Sequence, residues 1–290
     1  MKDWLRKLSP GRALLGLMSA HRLVTVGGII LFILAIFSLI GPFFSPFGRD
    51  EVNIAEIQAP PGNGHILGTD DLGRDIFVRL AYGGRVSLSV GIIAMLIQVV
   101  IGVVLGSVAG FYGGIYDSVI MRLTDVVMCF PFFVISLSVA ALTGPSFRNV
   151  ILIIGLLGWP AMARVVRGSI LGLKNTEFID AARALGLTQG EIIFRHLLPN
   201  SVGPIIVYGT LNIAYAVMIE ASLSFLGLGI AQPQPSWGTM LSAAQKLSIL
   251  QRCSWMWIPP GLMVFLTVMS INFIGEGISE IFHSTGRGSA

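Results

Sequence analysis

Charge is what this chain has least of. Only 12% of its 290 residues are Asp, Glu, Lys or Arg, against 54% hydrophobic, and the mean hydropathy is +0.81. An ordinary soluble domain has roughly 25% charged residues, so a water-soluble fold is excluded. Cysteine is limited to Cys129 and Cys253; they are far apart in the expected topology, and no Cys-x-x-Cys or His/Cys cluster exists, so neither a disulfide nor a zinc site is expected. His21, His65, His196 and His283 are scattered over tails and loops, and no Ser/His/acid arrangement can be argued from them. There is no Gly-x-x-x-x-Gly-Lys-Ser/Thr loop, nor even a Gly-Lys dipeptide, so nothing offers the cradle that a phosphate tail needs. No catalytic residue, cofactor or metal is expected in this polypeptide.

What is present is apolar length. Six stretches reach the ~20 residues needed to cross a ~30 Å hydrocarbon core: about 23–44, 86–111, 119–143, 150–168, 202–226 and 259–282. The expected fold is therefore an all-α, multi-pass membrane protein with six transmembrane helices. The first stretch follows basic residues as a signal peptide would, but it is longer than a 7–15-residue apolar region and has no small-residue cleavage site. It reads as a retained span. An even number of spans puts both termini on one face. Lys and Arg concentrate on cytoplasmic loops, and here they gather in the leading segment (Lys2, Arg6, Lys7, Arg12, Arg22) and around residues 164–195 (Arg164, Arg167, Lys174, Arg183, Arg195). Both termini and that region are expected to be cytoplasmic. The net charge of +4 is explained by this rule, so nucleic acid has little support as a partner.

Residues 1–22 place Trp4, Leu5, Leu8, Leu14, Leu15 and Leu17 among basic residues, which suits an amphipathic helix on the inner surface or a charged topogenic tail. The stretch 45–85 is rich in turn formers and acids. Within it, His65-Ile-Leu-Gly-Thr-Asp-Asp-Leu-Gly-Arg-Asp75 offers Thr69 or Asp70 as a helix cap, with Asp75 four residues before Arg79 on one helical face. Three acids here could suggest calcium, but the EF-hand spacing is missing, so a structural cap is expected.

The polar island Glu177-Phe-Ile-Asp-Ala-Ala-Arg-Ala-Leu-Gly-Leu-Thr-Gln-Gly-Glu-Ile-Ile-Phe-Arg-His-Leu-Leu-Pro199 reads as two short helices. The first starts after Asn175-Thr176, has apolar residues at Phe178, Ala182 and Leu185, and stops at Gly186. A second begins with the capping box Thr188/Glu191, continues through Ile192, Ile193 and Leu197, and is expected to stop at Pro199. Its apolar side is expected to be uncovered by its own chain and so to need a partner.

The spacing Asp180-Ala181-Ala182, Gly186, His196-Leu197-Leu198-Pro199 resembles the "EAA" loop of importer permeases of the ATP-binding-cassette type, with Asp180 where the family has Glu. The 65–75 segment resembles the signature preceding the second span in permeases for dipeptides, oligopeptides and nickel. The resemblance implies a type I importer permease fold. It implies that Asp180, Ala181, Ala182, Gly186, Leu197, Leu198 and Pro199 form a coupling helix docking onto a cytoplasmic ATPase, and that ATP and Mg bind to partner subunits. It further implies a second homologous permease subunit, two ATPase subunits, an extracytoplasmic solute-binding protein and location in the bacterial cytoplasmic (inner) membrane. On this basis residues 1–85 form a tail, first span and external loop, 86–283 a five-helix core and 284–290 a C-terminal tail.

Ionisable groups inside apolar spans are costly and usually face a partner or a wet path. Asp125 is expected to pair with Arg122 on its own helix. Glu220 lies in Ile219-Glu-Ala-Ser-Leu-Ser-Phe-Leu-Gly-Leu-Gly229, similar to the family's gate-forming fifth span. There it could meet a peptide's amino group, pair with the partner permease or cap a neighbouring helix. With Ser224 and Asn272 it forms the candidate translocation pathway. Asn272 and Glu276 share a face of the last span. In Gln232-Pro-Gln-Pro-Ser-Trp-Gly238 the prolines block regular helix and Trp237 suits the membrane interface; a similar segment in peptide-type permeases faces the binding protein. Trp255 and Trp257 read as belt anchors, and Phe130-Pro131 predicts a kink in span three. The reading is an ATP-driven importer permease for di- or oligopeptides. A nickel or glutathione importer shares the architecture, and a secondary transporter or a membrane scaffold are the alternatives of another class.

Overall fold

A computed structural model describes residues 22–62 and 64–287; the expected surface helix over 1–22 lies almost wholly outside the described residues. Among those residues five helices are long and apolar enough to cross a membrane: α1 (Arg22–Ile40, continued as a 3-10 turn to Phe44), α2 (Ile76–Tyr112), α5 (Phe147–Leu173), α7 (Val202–Phe225) and α10 (Ser254–Arg287). The expected third span is a pair, α3 (Gly114–Met128) and α4 (Phe132–Thr143), bent by 78°. Six spans result when the pair is counted as one. The break falls at Cys129-Phe130-Pro131, where proline removes a backbone donor and clashes with the preceding turn.

α2 packs most extensively on α5, and the reason is a stripe of small residues. Gly102, Gly106 and Gly110 recur every four residues, and a Cβ on them would come within 2.5 Å of Met162, 2.5 Å of the Ala163 carbonyl and 2.8 Å of Ile170. In lipid, where burying apolar area between helices gains little, such close approach supplies the dispersion that holds helices together. α1 leans on α10 in the same way: a Cβ on Gly27 would stand 2.5 Å from the Ser270 carbonyl.

α2 begins ten residues before the expected span and is capped by Asp75, not by Thr69 or Asp70: the Asp75 carboxylate accepts the Val78 N–H at 2.8 Å. Thr69 instead ties the loop together, receiving the Ala59 N–H at 2.8 Å and donating to the Glu56 carbonyl. Asp70 receives the Leu72 and Arg74 N–H groups. The expected Asp75–Arg79 pairing does not form. Asp75 is turned to His65 at 2.7 Å, and Arg79, 2% exposed, reaches Asp50 at 3.3 Å and Asp70 at 3.4 Å. Buried on the second turn of the helix, Arg79 gathers acids from two loops, an arrangement that backbone spacing alone does not reveal.

Between α7 and α10 the chain folds into short helices, α8 (Trp237–Leu241) and α9 (Leu247–Arg252). The expected interfacial Trp237 is fully buried instead: its indole N–H donates to the Leu80 carbonyl at 3.0 Å and its ring lies against Gly83 and Gly84. The prolines before it do exclude regular helix, and Ser236 starts α8 with a capping box to Thr239.

Candidate functional site

The polar island folds as two helical pieces around a glycine turn. α6 (Glu177–Ala184) follows Thr176, and Gly186 takes φ +77°, the left-handed conformation that glycine adopts without penalty. Thr188 and Glu191 make the reciprocal capping box. The two carboxylate bonds from Thr188 hold Glu191 below the usual glutamate value, with Arg195 and His196 adding to the effect.

Pro199 does not stop this helix. Residues Ile192–Leu197 form a π turn, Leu198–Asn200 continues it, and α7 follows at Val202. Proline deprives the turn of one donor and crowds the carbonyl four residues back; a wider turn relieves the clash. The Asn200 and Ser201 side chains add donors just beyond the turn, to the His196 carbonyl at 2.6 Å and to the Leu197 carbonyl at 2.9 Å, which also accepts the Ser201 backbone N–H. The island is thereby welded to α7.

The apolar side of the island is divided. Ile179, Ala182, Ile192, Ile193 and Leu197 are buried with Met162, Val166 and Ile170 of α5, so this much is covered by the chain's own body, contrary to the expectation. Leu185 at 80% exposure, Phe194 at 72% and half-exposed Phe178 point away from it. Around them the ion pairs are local and exposed: Arg183–Asp180 at 3.0 Å and Arg195–Glu191 at 3.3 Å. Asp180, Ala181 and Gly186 are exposed, Leu198 is half-buried, and Pro199 is exposed. Three large apolar side chains rimmed by charge thus stand exposed on the island.

Glu220, expected on the pathway, is 0% exposed. It accepts hydrogen bonds from Ser87 of α2 at 2.8 Å and Ser224 at 2.7 Å. Ser87 also receives the Trp237 N–H at 3.2 Å, and Ser224 the Ile230 N–H at 3.3 Å. The carboxylate thus joins two spans and the 230–237 segment. Asn272 lies on the outside of α10, bonded to the Val268 carbonyl at 2.9 Å, so the structure does not bring it together with Glu220. Asp125 pairs with Arg164 of α5 at 2.5 Å and not with Arg122, and Asp117 pairs with Arg167 at 2.5 Å. These two bridges link α3, which buries Thr124 alone, to α5.

A cavity of about 540 Å3 opens beside the break in the third span. Its wall is formed by Phe130, Pro131, Pro160, Tyr208, Asn212 and Tyr215 among others, with no formal charge in the lining. Sequence reading passed over Tyr208, Asn212 and Tyr215, although their i, i+4, i+7 spacing puts them on one face of α7.

A broken third span, an α7 fused to the polar island and a long α2 packed on α5 make up this all-helical, membrane-spanning body. The chain belongs to the family described as binding-protein-dependent transport system inner membrane components, which matches residues 102–285; it is a multi-pass inner-membrane protein and an importer permease of the ATP-binding-cassette class. Residues 12–61 match the N-terminal transmembrane domain of oligopeptide transport permease C. The oligopeptide transport system permease protein OppC of Escherichia coli K12 is 39% identical over 92% of this chain and 88% of its own. Dipeptide transport system permease proteins DppC are 39% identical in Bacillus subtilis 168, over 91% and 82%, and 37% identical in Alkalihalophilus pseudofirmus, over 96% and 91%. The fold is also that of a chain of the MetNI methionine ABC transporter solved in inward-facing conformations. That likeness has a TM-score of 0.55 and 21% identity over 70% of this chain and 95% of that one.

Proposed function

We propose that this chain is one of two permease subunits of an ATP-driven importer for di- or oligopeptides, with both termini and the 177–199 island on the cytoplasmic side. The cargo class rests on the names of the dipeptide and oligopeptide permeases it resembles. The observation that carries the coupling role is the exposed set Phe178, Leu185 and Phe194 on a knob continuous with α7. An ATPase seated on that set transmits its closure through the π turn into α7 without an intervening loop. The segments 45–75 and 227–253 form the opposite, external face and receive the solute-binding protein. Cargo passes along the uncharged cavity at the broken span, where Tyr208, Asn212 and Tyr215 offer neutral polar groups, while Glu220 and Ser224 act as the strut behind it. ATP and Mg belong to the partner ATPases.

The test is recovery of partners on the tagged chain from mild detergent. Leu185→Asp with Phe194→Asp is expected to abolish co-purification of ATPases while the second permease is still recovered, because neither side chain contributes to the buried core. ATPases recovered at wild-type level on the double variant would sink the coupling assignment.

A further inference from the structure

The segment between the first two spans contains an ionisable side chain that none of these roles uses. His65 is 3% exposed and its ring stacks on Phe47 at 4.1 Å. Nδ1 lies 2.7 Å from Asp75 Oδ2 and Nε2 lies 3.1 Å from Glu56 Oε2. Both carboxylates are already engaged as acceptors. Asp75 Oδ1 takes the Val78 N–H that starts α2, and Glu56 Oε2 takes a side-chain N–H of Asn53 at 2.7 Å. A neutral imidazole has one N–H. In either tautomer its other nitrogen would aim a lone pair at a carboxylate oxygen; the doubly protonated ring satisfies both.

We propose that His65 is an imidazolium clamp joining Glu56 of the outer loop to Asp75, the cap of α2, and that the clamp releases as the pH on its side of the membrane rises. Burial pulls the His65 value down, but the hydrogen bonds and charges of Asp75 and Glu56 outweigh it and hold the value above the ordinary 6.5. The other charges of the neighbouring turns have partners of their own: Arg74 with Asp70 at 2.7 Å, Arg79 with Asp70 and Asp50, Arg49 with Asp50 at 2.5 Å, Lys246 with Asp71 at 3.4 Å, and Glu51 with the Gly48 N–H at 2.8 Å. A group with a raised folded value stabilises fully below its unfolded value, and its contribution is lost as pH rises through the folded one. The clamp is therefore closed in acid and opens above 6.5. Thr69 still binds Ala59 and Glu56 when it opens, so the loop loosens without detaching.

The experiment uses the full chain in lipid nanodiscs with His21, His196 and His283 replaced by Gln, leaving one imidazole, whose ring nitrogens are titrated by NMR over about pH 5 to 9. The expected result is a single transition above 6.5, lowered by Asp75→Asn, which keeps a capping side chain but removes the charge. A transition at or below that value, or one that Asp75→Asn leaves in place, overturns the proposal. As a second readout, protease cleavage within 45–64, corrected for the protease's own pH profile, is expected to rise across the same transition and to lose that dependence in His65→Gln. Flat cleavage in the unsubstituted chain also overturns it. Neither readout involves ATPases or peptides, so the result stands apart from the cargo and coupling assignments.

Discussion

The two polar ends of this molecule treat charge in opposite ways. At the end built from 45–79 and 227–253, Arg74, Asp75, Arg79 and His65 are buried; His65 bonds to Asp75 and Arg79 to Asp50 from separate turns, and Gln232 reaches both arginines, although Arg74 also pairs locally with Asp70. At the island end, Arg183 and Arg195 pair with acids three and four residues away, in water. Buried pairs cost desolvation and specify one geometry; exposed local pairs specify little and add at most about 1 kcal/mol. One end is tied by buried charge, and the other keeps its charges exposed and free to rearrange.

The contrast is sharpest in a matched pair of substitutions. Arg79→Leu leaves Asp50 and Asp70 short of a buried partner and is expected to cost about 3 kcal/mol, read as a fall in thermal midpoint and in folded yield in detergent. Arg183→Leu, at the other end, is expected to stay within about 0.5 kcal/mol. Equal losses in the two variants would erase the distinction between the buried and the exposed end. Between these extremes lies Gly106→Val, which forces α2 from α5 at the Ala163 carbonyl. Overpacking of that kind is expected to cost about 2 kcal/mol and shows that the island end is loose only on its surface.

The smallest effect is a pH dependence confined to the island. Glu191 titrates below its unfolded value, so its capping box contributes at neutral pH and is lost as pH falls through the folded value, below 4.5. Amide exchange at 188–192 is expected to accelerate in acid, and Glu191→Gln to remove that acceleration. The opposite slope is expected at His65, whose clamp fails toward alkali, so one titration read at both sites separates the ends.

Local chemistry was legible in the sequence, and long-range partnership was not. The Thr188/Glu191 box, the Gly186 turn, the kink at Phe130-Pro131 and the run of spans follow from spacing within a few residues. Asp125 was misassigned because Arg122 is near in sequence while Arg164 is near in space. Trp237 was read as interfacial because an indole suits either a wet boundary or a buried N–H acceptor, and its acceptor, the Leu80 carbonyl, belongs to another helix. Pro199 does not act as a stop because the preceding residues Ile192–Leu197 widen into a π turn, which makes room for the ring and lets the helix run on. The glycines at 102, 106 and 110, passed over in the sequence, gain their meaning only from the facing Met162, Ala163 and Ile170.

α2 contains no proline across its 37 residues, and at 1.5 Å per residue it measures about 55 Å, well beyond a ~30 Å hydrocarbon core. Its first turn lies within the His65 and Arg79 network, and Val99, Val103 and Phe111 near its far end pack on the island's core. A stiff member anchored at both ends transmits displacement in either direction. On the proposed function, a partner settling on one face of the membrane is expected to alter the mechanical load felt on the other, with no change in the helix itself.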